Sequence, residues 1–259
     1  MRKYALISDI HANLPALRAV LTDIGGRRDI GAIYHLGDLT GYAPWPNEVV
    51  ALLGERGIPG IAGNYDSTVA MDYKHCGCRA ETPHEEELSH LSFEWTLEHV
   101  TAESKKYLAS LPFRLDIRPL GGHTSGPTIT LVHGNQTLNT VYVTEDRPDS
   151  FLEKMGASLG AKSGDVICFG HTHKPWQRIV GGIQFVNAGS VGRPKDGDWR
   201  ACYVLLSVEE KGEGEATGTR VEFVRVSYDV DEAARAIVES DLPEELAEVL
   251  RSGGSPAVV

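Results

Sequence analysis

Apolar and polar positions alternate in two different ways along the first seventy residues. Short apolar runs, beginning with YALIS, are typical of buried strands, whereas ANLPALRAVLTDI repeats its apolar side chains every three or four residues, as an amphipathic helix does. The same pattern predicts a second strand (AIYHLGD), a second helix (NEVVALLGER) and a third strand (IPGIAGN). Strands that alternate with helices are typical of a parallel sheet covered by helices.

The pattern changes between about residue 71 and residue 111. This segment is polar, rich in histidine and glutamate, and helical in its periodicity. Leu88, Leu91 and Trp95 form the predicted packing face of its main helix. We expect a helical insertion that lies over one face of the domain as a lid or rim.

Strand-like runs dominate the second half of the chain. They are FRLDIRPL, TITLVHG, DVICFG, PWQRIV, GIQFVNAG, ACYVLLSVEE and TRVEFVRVSYD. The Gly181–Gly182 pair predicts a hairpin turn between two of them, and KGEGEATG predicts a loose connection between the last two. Two helices, VDEAARAIVES and PEELAEVLRS, precede a tail, GGSPAVV, that we expect to be frayed. The second half of the chain is richer in β-hairpins than the first, which favours two packed sheets over a single sheet.

The length of 259 residues fits one large domain or one domain with a subdomain. We expect a single domain over residues 1–228 that includes the insertion at about 71–111. The C-terminal helices and tail, residues 229–259, are expected to pack on that same domain.

Composition narrows the choice of partners and of compartment. No apolar run approaches the roughly 18 residues that a membrane span needs, so no membrane partner is expected. The formal net charge of −11 repels nucleic acid, which makes it an unfavoured partner, but a local metal site can still attract a small phosphorylated substrate. The first strand runs directly into Asp9 and His11 instead of a signal-peptide cleavage site, which favours a cytoplasmic protein. The oligomeric state is not indicated.

The four cysteines show no disulfide framework, which fits a reducing cytoplasm. Cys168 and Cys202 lie in apolar strands and are expected to be core residues.

Side chains able to bind metals follow the apolar strands at the points where these end. They are Asp9 and His11 in SDIHAN, Asp38 in GDLTG, Asn64 in GNYD, His133 in VHGN, and His171 and His173 in GHTH. In an α/β sheet, the crevice beyond the carboxyl ends of the strands is where ligands bind. Seven oxygen and nitrogen donors there could hold two divalent cations. Mixed His, Asp and Asn ligands favour Mn, Fe, Zn or Ni over Ca, and the absence of thiolates disfavours a soft-metal site.

Each of these residues also has a structural explanation. Asp9 and Asp38 could be turn residues, Asn64 could occupy a left-handed position after a glycine, and His133 could be a structural histidine. Turn preferences alone, however, would not place metal-binding chemistry in five separate motifs that all follow strands.

The ordered motifs DIH, GD, GN, HG and GHTH resemble those of the calcineurin-like metallophosphoesterase superfamily, in its small bacterial and archaeal branch. The resemblance covers residues 4 to about 193. It implies an α/β fold, a four-layer sandwich of two mixed sheets flanked by helices, with a dinuclear metal centre. Asp9, His11, Asp38 and His173 would then hold one metal. Asp38 would bridge to a second metal, held by Asn64, His133 and His171.

Two cations about 3.5–4 Å apart share a water molecule and lower its pKa, so that hydroxide attacks a clamped phosphoryl group in line with the leaving oxygen. The resemblance therefore implies a metal-dependent phosphoesterase.

The third motif departs from the family pattern, because many members have a histidine where this chain has Tyr65. The resemblance implies that this histidine protonates the leaving group or stabilises the transition state, whereas a phenol is a poor proton shuttle at neutral pH. Asp66, which would orient the histidine, has lost its partner; Tyr65 could also be a passive pocket wall. This departure favours leaving groups of low pKa, as in nucleotides, phosphodiesters and dinucleoside polyphosphates. The candidate catalytic residues are Asp38, Asn64, Tyr65, Asp66 and Arg193; Arg193, in NAGSVGRP, could bind a phosphate or be a surface arginine.

The segment KHCGCRAETPH brings together His75, Cys76, Cys78 and His84. A structural zinc is the less favoured interpretation, because one residue between the cysteines is shorter than the usual zinc knuckle. We expect instead that this segment forms the rim and that Tyr73, His75 or His84 contributes to substrate choice.

Other functions stay open at this point. A phosphomonoesterase or a protein serine/threonine phosphatase would use the same centre, while a nuclease is disfavoured by the negative charge and by the lack of a basic stripe. A non-catalytic scaffold with the same fold, as in a retromer subunit of this superfamily, is a further alternative. The complete set of seven ligands weighs against that scaffold.

Overall fold

Two mixed β-sheets form the centre of the molecule. The computed structural model describes residues 2–79, 82–119, 126–211 and 215–254. The strands are β1 (Arg2–Ile7), β2 (Ile30–His35), β3 (Arg114–Ile117), β4 (Ile129–Val132), β5 (Val166–Phe169), β6 (Trp176–Val180), β7 (Ile183–Asn187), β8 (Ala201–Lys211) and β9 (Glu215–Val226). The first sheet has the order β2-β1-β8-β9, and the second has the order β3-β4-β5-β7-β6.

Each sheet combines parallel and antiparallel pairs. Strand β1 pairs in parallel with β2 and antiparallel with β8, which in turn is antiparallel to β9. In the second sheet β5 is parallel to both β4 and β7, whereas the outer strands β3 and β6 are antiparallel to their neighbours. The parallel strands β1 and β2, and likewise β4 and β5, therefore end at the same edge of their sheets.

Helices cover the outer faces of the two sheets. They are α1 (Leu14–Gly26), α2 (Pro46–Glu55), α3 (Asn64–Ala70), α4 (Pro83–His99), α5 (Ala102–Ser110), α6 (Asp149–Leu159), α7 (Val230–Glu239) and α8 (Glu245–Arg251). Helix α1 begins at a cap from Asn13, whose side-chain oxygen accepts the N–H of Ala16 at 3.1 Å. Helix α6 covers the second sheet, and the helices that share a core with α1 cover the first.

Side-chain alternation along the strands explains why there are four layers. In β1, Ala5 and Ile7 face the helical layer, whereas Tyr4 and Leu6 face the second sheet. Strand β5 does the same on the other side, since Cys168 lies between the sheets and its neighbours on the strand pack against α6. A strand with both faces buried must be apolar throughout, which is why these segments read as continuous apolar runs. The predicted two-sheet α/β architecture is confirmed.

Several predicted elements differ from the structure. IPGIAGN is not a strand, since it pairs only through an isolated bridge between His35 and Gly60, and Pro59 has no N–H to extend the ladder. Helix α6 was not predicted. The expected loose connection is shorter than KGEGEATG, because β8 reaches Lys211 and β9 starts at Glu215. Residues 212–214, and 255–259 of the tail, lie outside the described residues.

The helical insertion is present as α4 and α5. Leu88 is buried there and Trp95 is partly buried, but Leu91 is 43% exposed, so its assignment to the packing face was wrong. In α7 and α8, Ala233, Ile237 and Leu246 belong to the same core as α1. In the part of the chain that the structure describes, no helix has the length and apolarity to cross a bilayer.

The expectation that the cysteines are unpaired was wrong for two of them. Cys76 and Cys78 form a disulfide, while Cys168 and Cys202 are free and buried, as expected. Gly77 lies between the paired cysteines with φ of 72°, a conformation that glycine adopts without strain, and this turn brings their Cα atoms to 5.3 Å. The disulfide removes the cysteine argument for a reducing compartment, so cytoplasmic localisation stays a prediction.

Candidate metal centre

The loops after β1, β2, β4 and β5 meet where the two sheets end. These loops, together with the start of α3, bring all seven predicted ligands into one buried group: Asp9, His11, Asp38, Asn64, His133, His171 and His173 are each at most 4% exposed. Backbone bonds fasten the loops to each other. Asp9 donates its N–H to Gly37, and Gly170 donates to His133, both at 3.0 Å.

The backbone of this site is held in an unusual conformation. Asp9, His11, Asp38, His171 and His173 have φ angles between 48° and 68°, in the left-handed region that residues other than glycine rarely adopt. Such angles cost on the order of 1–3 kcal/mol each and persist only where the surroundings enforce them. The loops thus turn sharply as soon as the strands end, which directs successive side chains into the same space.

Close packing explains the glycines of the GD and GN motifs. A Cβ atom on Gly63 would lie 2.1 Å from Oδ1 of Asp38, and one on Gly37 would lie 2.2 Å from the backbone nitrogen of Gly63. Gly37 also has φ of 90°. The backbones of the GD and GN loops can therefore approach this closely only because Gly37 and Gly63 have no side chains. That contact places Asp38 beside Asn64.

The aspartates and histidines form two groups, each suited to one cation. Asp9, His11 and His173 make the first, and Asp38, His133 and His171 the second, with the donor atoms of each group within 4.8 Å of one another. Oδ2 of Asp38 lies between the groups, 3.3 Å from Nε2 of His133 and 3.8 Å from Nε2 of His11. His171 and His173 of GHTH thus lie in different groups.

The histidine rings are oriented by backbone carbonyls. Nδ1 of His11 donates to Thr40, that of His133 to Leu36, and that of His173 to Arg193, at 3.0, 2.7 and 2.6 Å respectively. In each neutral ring the proton on Nδ1 leaves Nε2 with a lone pair directed into the site.

These lone pairs provide a test of whether a cation fits. Nε2 of His11 and Nε2 of His173 are 3.0 Å apart, and two lone pairs at that distance repel each other. Nε2 of His171 is buried without a hydrogen-bond partner among the described residues. Two divalent cations, one in each group, would satisfy all three nitrogens. The donor set therefore fits the metals expected for imidazole and carboxylate ligands.

Asn64 presents its oxygen to the same site. Its Nδ2 donates to the carbonyl of Cys76 at 3.0 Å, which fixes the orientation of the amide and leaves Oδ1 3.2 Å from Nε2 of His133. The carbonyl that fixes this ligand belongs to the disulfide-bonded turn of the rim.

Burial and charge shift the protonation of the ligands in opposite directions. Burial lowers the pKa of His11 and of His171 to about 3, and lowers the pKa of His173 well below its usual value. Burial alone would also lower the pKa of His133, but attraction to Asp38 raises it to about 10. Burial alone would raise the pKa of Asp38, but the hydrogen bond to His133 and the attraction to His133, His11 and His171 together lower it below its usual value. Three rings are thus neutral and ready to bind a cation, and His133 would exchange its proton for one.

Asp66 lies beneath the site and binds backbone rather than a second side chain. Its carboxylate accepts the N–H groups of Asp38 and Leu39 at 2.8 Å and of Gly63 at 2.9 Å. Burial and repulsion by Asp38 raise the pKa of Asp66 to about 7, against the opposing effect of these donors. The side chain, without a histidine to orient, joins the GD loop to the GN loop.

Tyr65 has a fully buried ring. The ring packs against His11, Tyr42 and Phe93, with centroids 5.2–5.6 Å away. A Cβ atom on Gly41 would come within 2.4 Å of it. Burial raises the pKa of the Tyr65 phenol well above 10. This geometry supports the pocket-wall interpretation over proton transfer.

A cleft of about 430 Å³, including its open mouth, lies above the metal-binding groups. Arg193 lines it and stacks over Tyr42 with its guanidinium carbon 3.9 Å from the ring centroid, while its role in phosphate binding stays a prediction. Tyr73, His75 and His84, which were expected at the rim, are exposed and are not among the described residues that line this cleft.

Sequence reasoning did not place half of the described lining residues in the cleft. They are Tyr42, Cys78, Arg79, Glu85, Ser89, Tyr142 and Lys195. Tyr142 contacts the site directly, since its ring lies 4.1 Å from that of His171. Nothing in its sequence neighbourhood marks it. Cys78 and Arg79, by contrast, belong to the segment that was predicted as the rim.

Known proteins share this fold. A family model, the Calcineurin-like phosphoesterase superfamily domain, matches residues 2–211. An uncharacterized protein of Methanocaldococcus jannaschii is 30% identical over 270 residues, which cover 96% of this chain and 97% of that protein. A metallophosphoesterase from Sphaerobacter thermophilus superposes with a TM-score of 0.70 at 28% identity, over 97% of this chain and 98% of that one. A hypothetical protein from Pyrococcus horikoshii OT3 superposes with a TM-score of 0.78 at 24% identity, over 99% and 100% of the two chains. The chain therefore belongs to the calcineurin-like phosphoesterase superfamily, whose members hydrolyse phosphate esters with divalent metals.

Proposed function

We propose that this protein hydrolyses a small phosphorylated molecule whose leaving group has a low pKa: a nucleotide, a phosphodiester or a dinucleoside polyphosphate. The observation that carries the proposal is the pair of Asp/His groups with Asp38 between them, at the base of a cleft that Arg193 lines. Asp9, His11 and His173 would hold one cation. Asp38, His133 and His171 would hold the other, with the oxygen of Asn64.

Divalent cations bound there supply Lewis-acid activation of water and of the phosphoryl group. The chain itself fixes the ligand geometry, because backbone carbonyls of Leu36, Thr40 and Arg193 hold three imidazole rings in place. The guanidinium of Arg193 is positioned to bind phosphoryl oxygens with paired N–H donors.

The preference for a good leaving group rests on Tyr65. Its hydroxyl is buried, lies 3.5 Å from the carbonyl of Ser89, and has a pKa raised well above 10. It therefore supplies no proton at neutral pH. An alkyl monoester needs that proton, whereas a phosphate or nucleotide leaving group departs as an anion. Phosphomonoesters, including phosphoproteins, are accordingly the weaker candidates.

Metal content and turnover together test the proposal. We expect about two equivalents of Mn, Fe, Zn or Ni per chain, and hydrolysis of bis(p-nitrophenyl) phosphate and diadenosine tetraphosphate at least as fast as that of p-nitrophenyl phosphate. His11→Asn and His171→Asn should each remove about one equivalent, since the two side chains belong to different groups. His90→Asn is the matched control, because His90 is exposed on α4 and pairs only with Glu94 among the described residues.

Two results would reject the proposal. A chain that binds no stoichiometric metal and turns over none of the three substrates would be a scaffold. A strong preference for the alkyl phosphomonoester glycerol phosphate over the diester would show that the leaving-group argument from Tyr65 is wrong.

A further inference from the structure

A second cleft continues from the one above the metal-binding groups. It encloses about 1130 Å³, including its open mouth. Four lining residues are common to the two clefts: Arg79, Glu85, Tyr142 and Lys195. A molecule with one group at the metals can therefore extend into the second cleft without leaving the protein surface.

This second cleft carries positive charge on a negative protein. Among the described residues, Arg79, Lys174 and Lys195 line it against one carboxylate, that of Glu85, whereas the chain as a whole has a formal charge of −11. Neither Arg79 nor Lys174 forms an ion pair with any residue that the structure describes. Thr144 and Thr172 add hydroxyl groups to the same walls. This combination of cationic and hydroxyl donors suits an anion with several oxygens.

The second cleft is fixed in position relative to the metal-binding groups. Lys174 follows the predicted ligand His173 directly, and Thr172 precedes it. Asn187 holds Thr172, since its Nδ2 donates to the threonine hydroxyl at 3.0 Å.

Tyr142 connects the wall of the second cleft that contains Arg79 to the metal-binding groups. Its hydroxyl accepts the backbone N–H of Arg79 at 3.2 Å, while its ring contacts His171 with centroids 4.1 Å apart. The cations of the second cleft therefore come from segments that also contact the metal-binding groups.

We propose that the second cleft binds a further phosphoryl group of the substrate, so that the enzyme selects diphosphates and polyphosphates over molecules with one phosphoryl group. The inference rests on the proposed function, because the first phosphoryl group must lie at the metals. It narrows the substrate class to compounds with two or more linked phosphoryl groups.

Binding of non-hydrolysable probes tests this inference without turnover. Methylphosphonate carries one phosphonyl group and methylenediphosphonate carries two, and titration calorimetry on the manganese-loaded protein, with manganese in excess of probe, gives both dissociation constants. We expect methylenediphosphonate to bind at least about tenfold more tightly, as one added charge-assisted contact provides. Arg79→Ala and Lys174→Ala should each remove most of that ratio. Lys154→Ala, on the exposed side of α6, is the matched control and should keep it.

Three outcomes would overturn the inference. The ratio could be near one in the unaltered protein, or it could survive both substitutions. Phosphonoacetate, which has a carboxylate in place of the second phosphonyl group, could bind as tightly as methylenediphosphonate; the cleft would then accept any anion.

Turnover separates this inference from the proposed function. The protein could hydrolyse bis(p-nitrophenyl) phosphate and yet bind methylphosphonate and methylenediphosphonate with similar dissociation constants. In that case only the assignment of the second cleft is wrong. If it binds metal and shows the ratio but hydrolyses none of the substrates, the proposed function fails and the binding site stands.

Discussion

Replacing Asp66 tests whether this carboxylate fastens the two metal-binding loops or takes part in chemistry. The side chain is fully buried and accepts three backbone N–H groups, those of Asp38, Leu39 and Gly63. In Asp66→Ala all three donors lose their acceptor. Each buried donor left unpaired costs roughly 1–3 kcal/mol, and partial relaxation makes a total of about 3–5 kcal/mol the expected loss in the free energy of unfolding.

Asp66→Asn gives a sharper comparison because the amide keeps one oxygen. Oδ2 of Asp66 accepts from Asp38 and Gly63, while Oδ1 accepts only from Leu39. An asparagine with its oxygen at the Oδ2 position keeps two bonds and loses one. We therefore expect a loss of about 1–3 kcal/mol, less than in the alanine variant. Asp241→Ala, at an exposed position, should stay within about 0.5 kcal/mol of the unaltered protein.

The assay is urea unfolding in the presence of a chelator, so that metal binding does not enter the measured stability. Metal affinity is then measured on the folded variants. We expect Asp66→Asn to weaken it by about tenfold, because Asp66 holds the backbone of Asp38 and of Gly63, the residue that precedes Asn64. The reasoning is refuted if Asp66→Ala loses less than about 1 kcal/mol, or if both variants keep their stability and metal but lose turnover. That second pattern would mark Asp66 as a catalytic group.

Three further predictions follow from other buried positions. His35 has neither ring nitrogen paired among the described residues, and burial lowers its pKa to about 3. Because its pKa in the unfolded chain is higher, the free energy of unfolding falls as the pH drops below about 6.5, and the unaltered protein should lose about 1.4 kcal/mol more than His35→Leu between pH 7.5 and 5.5. An equal change in the free energy of unfolding of the two proteins would contradict this prediction. Tyr65→Phe should change kcat for a phosphodiester by less than about threefold, whereas a tenfold loss would show that the hydroxyl acts in catalysis. A Cβ on Gly192 would lie 1.7 Å from the carbonyl oxygen of Ile10, so Gly192→Ala should lower the free energy of unfolding by more than about 3 kcal/mol in thermal or urea unfolding. Gly25 has open space around it, and Gly25→Ala should change that free energy by less than about 1 kcal/mol. Equal effects of the two substitutions would reject the packing argument.

The metal-binding groups could be predicted from sequence because strand ends impose both position and residue type. His133 directly follows β4, and Asp9 lies two residues after the end of β1. Strand β1 ends at the same edge of its sheet as its parallel neighbour β2, and β4 at the same edge as β5. The family resemblance is likewise confirmed by the family match over residues 2–211. The same logic failed for IPGIAGN, because apolar character marks burial and not pairing. Gly60 is pressed against His35 there, and the segment passes beneath the loops instead of extending the sheet.

The rim could not be predicted because its members share no pattern. Arg79, Tyr142 and Lys195 come from three distant segments, and only the folded chain brings them to one cleft. The disulfide was missed for a different reason. A spacing of one residue suggests neither a zinc knuckle nor a disulfide framework, and only the left-handed turn at Gly77 brings Cys76 and Cys78 together.

The tyrosine in the third motif is best understood through the cluster that contains it. Tyr65 fills the space between His11 and Phe93, and Tyr42 lies beside it with Arg193 stacked above. A smaller and more polar imidazole at this position would open that packing and leave Arg193 less firmly supported. The chain thus has an aromatic wall and a stacked guanidinium at the position where the family resemblance implies a histidine. A leaving group that is already a stable anion needs no such donor but does need cationic contacts, and the clefts lined by Arg79, Arg193 and Lys195 provide those contacts. The absence of a histidine from the third motif and the presence of a basic cleft therefore favour the same class of substrate.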